Sequence, residues 1–235
     1  MLQKRSDTGA ETLRRMSALE RYTMWIAETI CPWMGRHVLE IGSGMGNFSR
    51  FFLGCEQLTL SDIREDYLEI LRETYGGYSN VTIEYYNLDY SSSRLAGRGI
   101  DTIVALNVLE HIRDDCHALS ELAAILAPGG RIILQLPAHR LLYGSLDVHL
   151  DHFRRYTARD IREKLAAAGY EVERMVRFNL FGALGWLFCS RVLRRRILPE
   201  GQLGLFNRLT PLFMAIERRI PVPFGLSLLV IGKKI

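Results

Sequence analysis

The sequence predicts an α/β fold, a largely parallel sheet with helices on both faces and a helical insertion before the last strand. Three observations carry that expectation. Short apolar segments alternate with helical ones from residue 37 to 178. The first strand-like segment runs straight into a glycine-rich turn. Acidic residues stand at the ends of three successive strand-like segments, at Glu40, Asp62 and Asp89. Strand–helix alternation builds parallel β-α-β units. A chain of 235 residues is long enough for one large domain with an insertion.

The elements follow in order. Thr8–Ile30 reads as a helix with apolar positions at Leu13, Met16, Leu19, Tyr22, Trp25 and Ile26, and Pro32 ends it. His37–Ile41 is a strand. Asn47–Leu53 reads as a short helix, Leu58–Leu60 as a strand, and Glu65–Tyr75 as a helix closed by Gly76-Gly77. Val81–Tyr86 and Asp101–Leu106 are strands. Asp114–Leu126 is an amphipathic helix stopped by Pro128-Gly-Gly130, and Arg131–Leu136 is a strand. Thr157-Ala-Arg-Asp160 places an acid three residues after a hydroxyl, a capping-box start for a helix through Ala168. Tyr170–Phe178 is a strand. Leu180–Leu198 and Leu203–Ile220 read as apolar helices interrupted by Pro199-Glu-Gly201, and Leu226–Ile231 as the last strand. The expected organisation is a single domain: a helical cap over 1–32, a core over 35–180, a helical insertion over 181–224 and a strand over 225–235.

The strongest local signal is Val38-Leu-Glu-Ile-Gly-Ser-Gly-Met-Gly-Asn47. Gly42 and Gly44 let the backbone bend and approach a ligand closely. The following helix start offers unpaired N–H groups and a positive dipole end, and Glu40 can face an ammonium group. A dinucleotide loop would read GxGxxG, but position 47 is Asn. Asp62, twenty residues past Gly42, has the spacing of an acid that grips ribose hydroxyls. The ordinary alternative for Asp62 is a helix cap. Asp89 can accept from an exocyclic adenine amine, or simply sit in a turn.

As a set, Glu40-x-Gly42-x-Gly44-x-Gly46, Asp62, Asp89, Asn107-Val-Leu-Glu-His111 and Leu126-Ala-Pro-Gly-Gly-Arg131 resemble the class I S-adenosylmethionine-dependent methyltransferases over about residues 35–180. The resemblance implies a Rossmann-like seven-stranded sheet whose last strand is antiparallel. It implies S-adenosyl-L-methionine as cofactor and S-adenosyl-L-homocysteine as product. On that resemblance Glu40, Gly42, Ser43, Gly44 and Gly46 hold the methionine part, Asp62 with Ile63 the ribose, and Leu88 with Asp89 the adenine. Asn107 and Val108 meet the methionine end. Pro137-Ala-His139, His152-Phe-Arg-Arg-Tyr156, Asn179-Leu-Phe-Gly182 and Pro223-Phe-Gly-Leu-Ser227 also resemble a bacterial subgroup whose members accompany glycosyltransferases. That likeness suggests a glycan or lipid-linked acceptor beside the general small-molecule one.

A sulfonium is already activated, so the protein has to align acceptor, methyl and sulfur and accept a proton. Histidine is the usual base for an acceptor hydroxyl, which makes His111, His139 and His152 the catalytic candidates. His111 could equally serve a structural hydrogen bond at a helix start. The connection from 137 to 156 is long and polar, as functional connections often are. Its Tyr143, Asp147, His149, Arg154, Arg155 and Tyr156, with Tyr22 and Trp25 from the cap, are the substrate candidates. Arg154-Arg155 could grip an acidic or phosphorylated acceptor, or form a solvated pair with nearby acids. No metal is expected. Cys31, Cys55, Cys116 and Cys189 stand far apart, with no CxxC pair and no Cys/His cluster along the chain.

Two rivals are a nucleotide-dependent oxidoreductase on the same fold and a non-catalytic membrane-associated module. The glycine spacing and the lack of a Tyr-x-x-x-Lys pair weigh against the first. A net charge of +4 and the lack of an aromatic-interleaved basic stripe argue against nucleic acid. Yet residues 191–235 carry nine Lys/Arg against two Glu, +7, leaving −3 on the rest. Basic charge beside Phe181, Trp186, Phe188, Phe206 and Phe213 suits a bilayer interface. A packed helical layer or a homodimer contact fits the same composition. The longest uncharged stretches, 178–190 and 220–232, have 13 residues each, short of the roughly 20 a membrane span needs. The N-terminus lacks the apolar core of a signal peptide. The expected setting is cytoplasmic, with the inner face of the membrane as the alternative placing.

Overall fold

The computed structural model of the chain describes residues 6–88, 95–220 and 222–235. Strands β1 (His37–Ile41), β2 (Gln57–Asp62), β3 (Val81–Tyr85), β4 (Thr102–Leu106), β5 (Arg131–Pro137), β6 (Tyr170–Phe178) and β7 (Ser227–Lys234) form one sheet, ordered β3-β2-β1-β4-β5-β7-β6. β1 to β5 pair in parallel, and β7 runs antiparallel to both β5 and β6. The expected Rossmann-like sheet with a reversed last strand is present.

The strands bury both faces. Leu39, Ile103, Ile132, Leu134 and Val230 pack into one core, and Val38, Leu60, Val104, Ile133 and Leu229 into the other. A sheet covered on both sides needs such near-continuous apolar strands. Leu119 of α4 (Asp115–Ile125) and Ile161 of α6 (Ala158–Ala167) join the first core. Ile26 of α2 (Glu20–Ile30), Leu68 of α3 (Glu65–Tyr75) and Phe206 of α8 (Glu200–Glu217) join the second. The Thr157/Asp160 capping box forms as expected, each side chain accepting from the other residue's backbone N–H at 3.1 Å.

Several elements depart from expectation. The N-terminal helix is broken into α1 (Ser6–Ser17) and α2, because Leu19 leaves helical geometry (φ −88°, ψ 53°). The break lets α2 bury Leu19, Tyr22 and Trp25 against the sheet, while α1 crosses the glycine turn and Asn47 Nδ2 donates to the Leu13 carbonyl at 3.1 Å. Only a 3-10 turn, Ser49–Phe51, stands where a short helix over 47–53 is predicted. The helix expected over 180–198 ends as α7 (Leu180–Leu187) plus a π-helical turn, Phe188–Val192. Continuing it would stack Arg191 over Arg195, a like-charge i,i+4 pair. Pro199 starts α8 rather than interrupting it, since proline suits a helix entrance. The long connection after β5 holds a short helix, α5 (Ser145–His149).

Candidate functional site

β1 pairs with β2 on one side and β4 on the other, so strand order reverses at β1/β4. A crevice forms outside the carboxyl ends of strands at such a switch point. The glycine turn leaves β1 there, with Gly42, Gly44 and Gly46 at φ +68°, +55° and +79°, a region that glycine enters without strain. A Cβ on Gly42 would stand 2.7 Å from Val108 Cγ2, so the turn and the segment after β4 touch.

Two buried carboxylates brace this turn. Asp62, the last residue of β2, accepts from the Gly44 N–H at 2.9 Å and the Arg64 N–H at 3.0 Å. Desolvation raises its pKa, and those N–H groups oppose the rise. Glu40 is 3% exposed and accepts from Ser49 Oγ at 2.5 Å. Burial, with a smaller push from Asp62, lifts its pKa to about 7. Ser43 is buried, and its N–H donates to the Ser61 carbonyl, tying the turn to β2. Leu88 is buried beyond β3, Ile63 lies 59% exposed after β2, and Asp89 lies outside the described residues.

On the other side of the crevice, Asn107 leaves β4 in the left-handed region (φ +55°). The turn Leu109–His111 follows, putting His111 at the surface and Glu110 inside. The rings of His111 and His152 meet edge to face, centroids 4.8 Å apart. His152 Nδ1 lies 3.0 Å from Asp147 Oδ1, and Arg155 Nε donates to the same oxygen at 2.7 Å. Trp186 Nε1 donates to Asp147 Oδ2, and Arg155 stacks over the Trp186 ring at 4.7 Å. Although an edge of His111 reaches the surface, desolvation of its ring and the neighbouring His152 hold its pKa well below the usual histidine range.

Residues 6–174 match the family model for the Methyltransferase domain. The chain belongs to this family. Over 150 residues it is 29% identical to a Mycolicibacterium smegmatis protein named "Probable S-adenosylmethionine-dependent methyltransferase", covering 59% of this chain and 53% of that one. Over 108 residues it is 31% identical to a ubiquinone biosynthesis O-methyltransferase of Bordetella bronchiseptica, covering 45% and 44%. The chain thus spans about half the length of these curated relatives. Among solved structures, an S-adenosylmethionine-dependent methyltransferase from Mesorhizobium loti superposes with TM-score 0.58 at 16% identity, over 86% of this chain and 92% of that one. A chain of the complex containing the Haloferax volcanii Trm112 methyltransferase activator reaches 0.68 at 16% identity, over 100% and 97%. Such structural likenesses show the fold. The family match favours methyl transfer over the oxidoreductase alternative, with S-adenosylmethionine as the cofactor of the domain.

In this methyltransferase domain the remaining candidates separate into groups. Arg155, Asp147 and His152 are buried and bonded through Asp147, and the buried Tyr156 donates from Oη to Asp115 at 2.8 Å and to the Leu109 carbonyl. They join the 137–156 segment to the turn after β4. Tyr143 Oη donates to the His152 carbonyl, and His149 Nδ1 sits 2.7 Å from the Ser145 carbonyl. Arg154 turns away from that group, to Asp115 and the Arg113 carbonyl. His139, at φ +61°, stacks on Phe224 with centroids 3.9 Å apart. Trp25 packs in the core against Tyr22 and Phe178. Tyr22 is buried beside Asn179, Ser227 and Gln135, and burial pushes its pKa up to about 12. Sequence reasoning did not single out Glu110, Leu13 or Asn47 for this site. Glu110 sits between Leu109 and His111 and gives no periodic signal of its own. Leu13 and Asn47 meet only because the N-terminal helix breaks.

Proposed function

We propose that the chain transfers a methyl group from S-adenosylmethionine to an oxygen of a small-molecule, glycan or lipid-linked acceptor. The observation that carries this reading is the glycine turn at the β1/β4 crevice, held by Asp62 and backed by the buried Glu40. The cofactor fits what the turn offers. The positive-φ glycines turn the backbone sharply where a side chain would strike Val108 or Tyr75, so the chain can pass close to a ligand there, and the neighbouring carboxyl groups suit ribose hydroxyls and cationic groups. Bound there, the cofactor supplies an activated methyl.

The chain's own residues have three tasks. Asp62 accepts from ribose hydroxyls while keeping its bond to the Gly44 N–H. Gly42, Ser43, Gly44 and Gly46, with Asn107 and Val108, seat the methionine end. α1, crossing the turn at Leu13 and Asn47, excludes water. His139 receives the hydroxyl proton; burial, with the positive charges of Arg177 and Arg155, holds its pKa down, so it is neutral at pH 7. The Bordetella relative's name supports oxygen as the methylated atom. Calorimetry with S-adenosylhomocysteine tests the assignment. Wild type should bind in the micromolar range and Asp62→Ala at least tenfold more weakly; equal binding would remove the ribose role.

A peripheral membrane placing rests on the insertion. Leu184, Phe188, Val192, Leu205 and Leu212 are 52–65% exposed beside the exposed Arg191, Arg194, Arg195 and Arg196. Exposed apolar side chains next to arginines suit an anionic bilayer surface. No helix among the described residues is long and apolar enough to cross a membrane. A homodimer through the same face is the competing reading.

A further inference from the structure

Among the described residues, Glu110 is the carboxylate whose two oxygens are both buried without a hydrogen-bond partner. A buried carboxylate left this way is costly, and such groups call for an ion or another specific partner. The Asp147 carboxylate accepts from His152 Nδ1–H at 3.0 Å, which turns the other ring nitrogen, Nε2, toward Glu110. That Nε2 points at Glu110 Oε1 from 4.0 Å, and the His111 ring closes the third side. Ligand atoms of Glu110, His111 and His152 all lie within 4.8 Å of one another.

We propose that Glu110, His111 and His152 form a binding site for a divalent transition-metal ion. Bonds of about 2.0–2.2 Å to nitrogen and oxygen, at coordination angles of about 90–120°, place ligand atoms roughly 3–4 Å apart. The cluster, with His152 Nε2 and Glu110 Oε1 at 4.0 Å and all ligand atoms within 4.8 Å, closes by movement of the His111 ring. Two imidazoles and one carboxylate select manganese, iron, cobalt or zinc over calcium. The Asp147–His152 bond is the outer-shell contact that fixes a ligating histidine's tautomer and orientation. Arg155 in turn pins Asp147. Three protein ligands leave coordination positions open, as in sites where a metal takes a substrate or water oxygen. The cluster reaches the surface through His111, in the turn after β4. The site stands on this cluster alone and does not depend on the methyl-transfer reading.

The test is titration of the chelator-treated full chain with CoCl2 and MnCl2, by calorimetry and, for cobalt, visible absorption. Wild type should bind one ion per chain at micromolar concentration or below. Glu110→Gln and His111→Ala should each weaken binding at least tenfold, and Asp147→Asn about 10- to 100-fold. Circular dichroism establishes that each variant is folded, and His111→Ala alters a surface position that should leave the fold intact. No binding below millimolar concentration would overturn the proposal, leaving a second proton on His152 to fill the gap. One-to-one binding unchanged in both ligand variants would overturn it as well, by placing the ion elsewhere. S-adenosylhomocysteine affinity, measured on the same samples, separates failure of this site from failure of the cofactor assignment.

Discussion

Glu40 and Gly42 are where single residues decide the most. Glu40 is shielded from water at the end of β1, so its charged form is disfavoured and its pKa rises to about 7. Between the ordinary value of 4.5 and about 7 the folded chain keeps a proton that the unfolded chain gives up. Stability from this group is therefore greatest below that window and falls as pH rises through it, by up to roughly 3 kcal/mol. Glu40→Gln removes the effect and keeps an acceptor for Ser49. Melting curves from about pH 5 to pH 8 should show the variant gaining stability relative to wild type, and a constant difference would refute the burial account. Gly42→Ala places a Cβ 2.7 Å from Val108 Cγ2 at φ +68°. Urea unfolding should show a loss of about 2 kcal/mol, part of it conformational, and Val108→Ala in the same chain should recover only the steric part. Both residues were legible in the sequence as members of a strand–glycine-turn motif. That the Glu40 carboxylate turns to Ser49 was not, because the partner sits nine positions away in a turn with no regular period.

At the scale of elements, the 137–156 connection is a brace as much as a loop. Arg155 and Asp147 are 1% and 0% exposed at their side chains and paired at 2.7 Å, whereas Arg154 keeps 29% exposure in its pair with Asp115. Adjacent arginines should thus behave differently. Arg155→Ala strands a buried carboxylate and should cost about 3–5 kcal/mol, while Arg154→Ala should cost about 1 kcal/mol or less. Chemical denaturation of the two variants checks this, and equal losses would contradict the brace. The polarity of the connection was visible in the sequence. Its folding onto the turn after β4 was not, since that depends on bonds between positions 147, 152 and 155 and a tryptophan in α7. The strands, α3 and the Thr157 cap were legible because period, glycine stops and cap residues are local signals. The break at Leu19 and the early end of α7 were hidden, because packing over the glycine turn and like-charge stacking are set beyond the local pattern.

For the whole molecule, charge and apolar exposure are unevenly distributed. The +7 of residues 191–235 is set against −3 for the remainder, and the same segment carries exposed apolar side chains such as Leu193, Leu205 and Leu212. Co-sedimentation with vesicles rich in anionic lipid should retain the chain at low salt and release it at high salt, within the range set by Debye screening. Retention that ignores lipid charge would oppose the membrane placing, and a concentration-dependent dimer without vesicles would favour self-association. The largely parallel sheet with helices on both faces followed from strand–helix alternation, and its reversed last strand from the family resemblance, so the fold was the most legible level of all. The acceptor was the least legible, because the walls of its site come from segments far apart in the chain. The central claim is that the turn between Asp62 and Asn107 seats S-adenosylmethionine. A crystal structure of the chain with S-adenosylhomocysteine tests it most directly. The ribose hydroxyls should lie on Asp62 with the homocysteine end over Gly42–Gly46, and a nucleoside bound elsewhere, or a crevice closed by protein side chains, would contradict it.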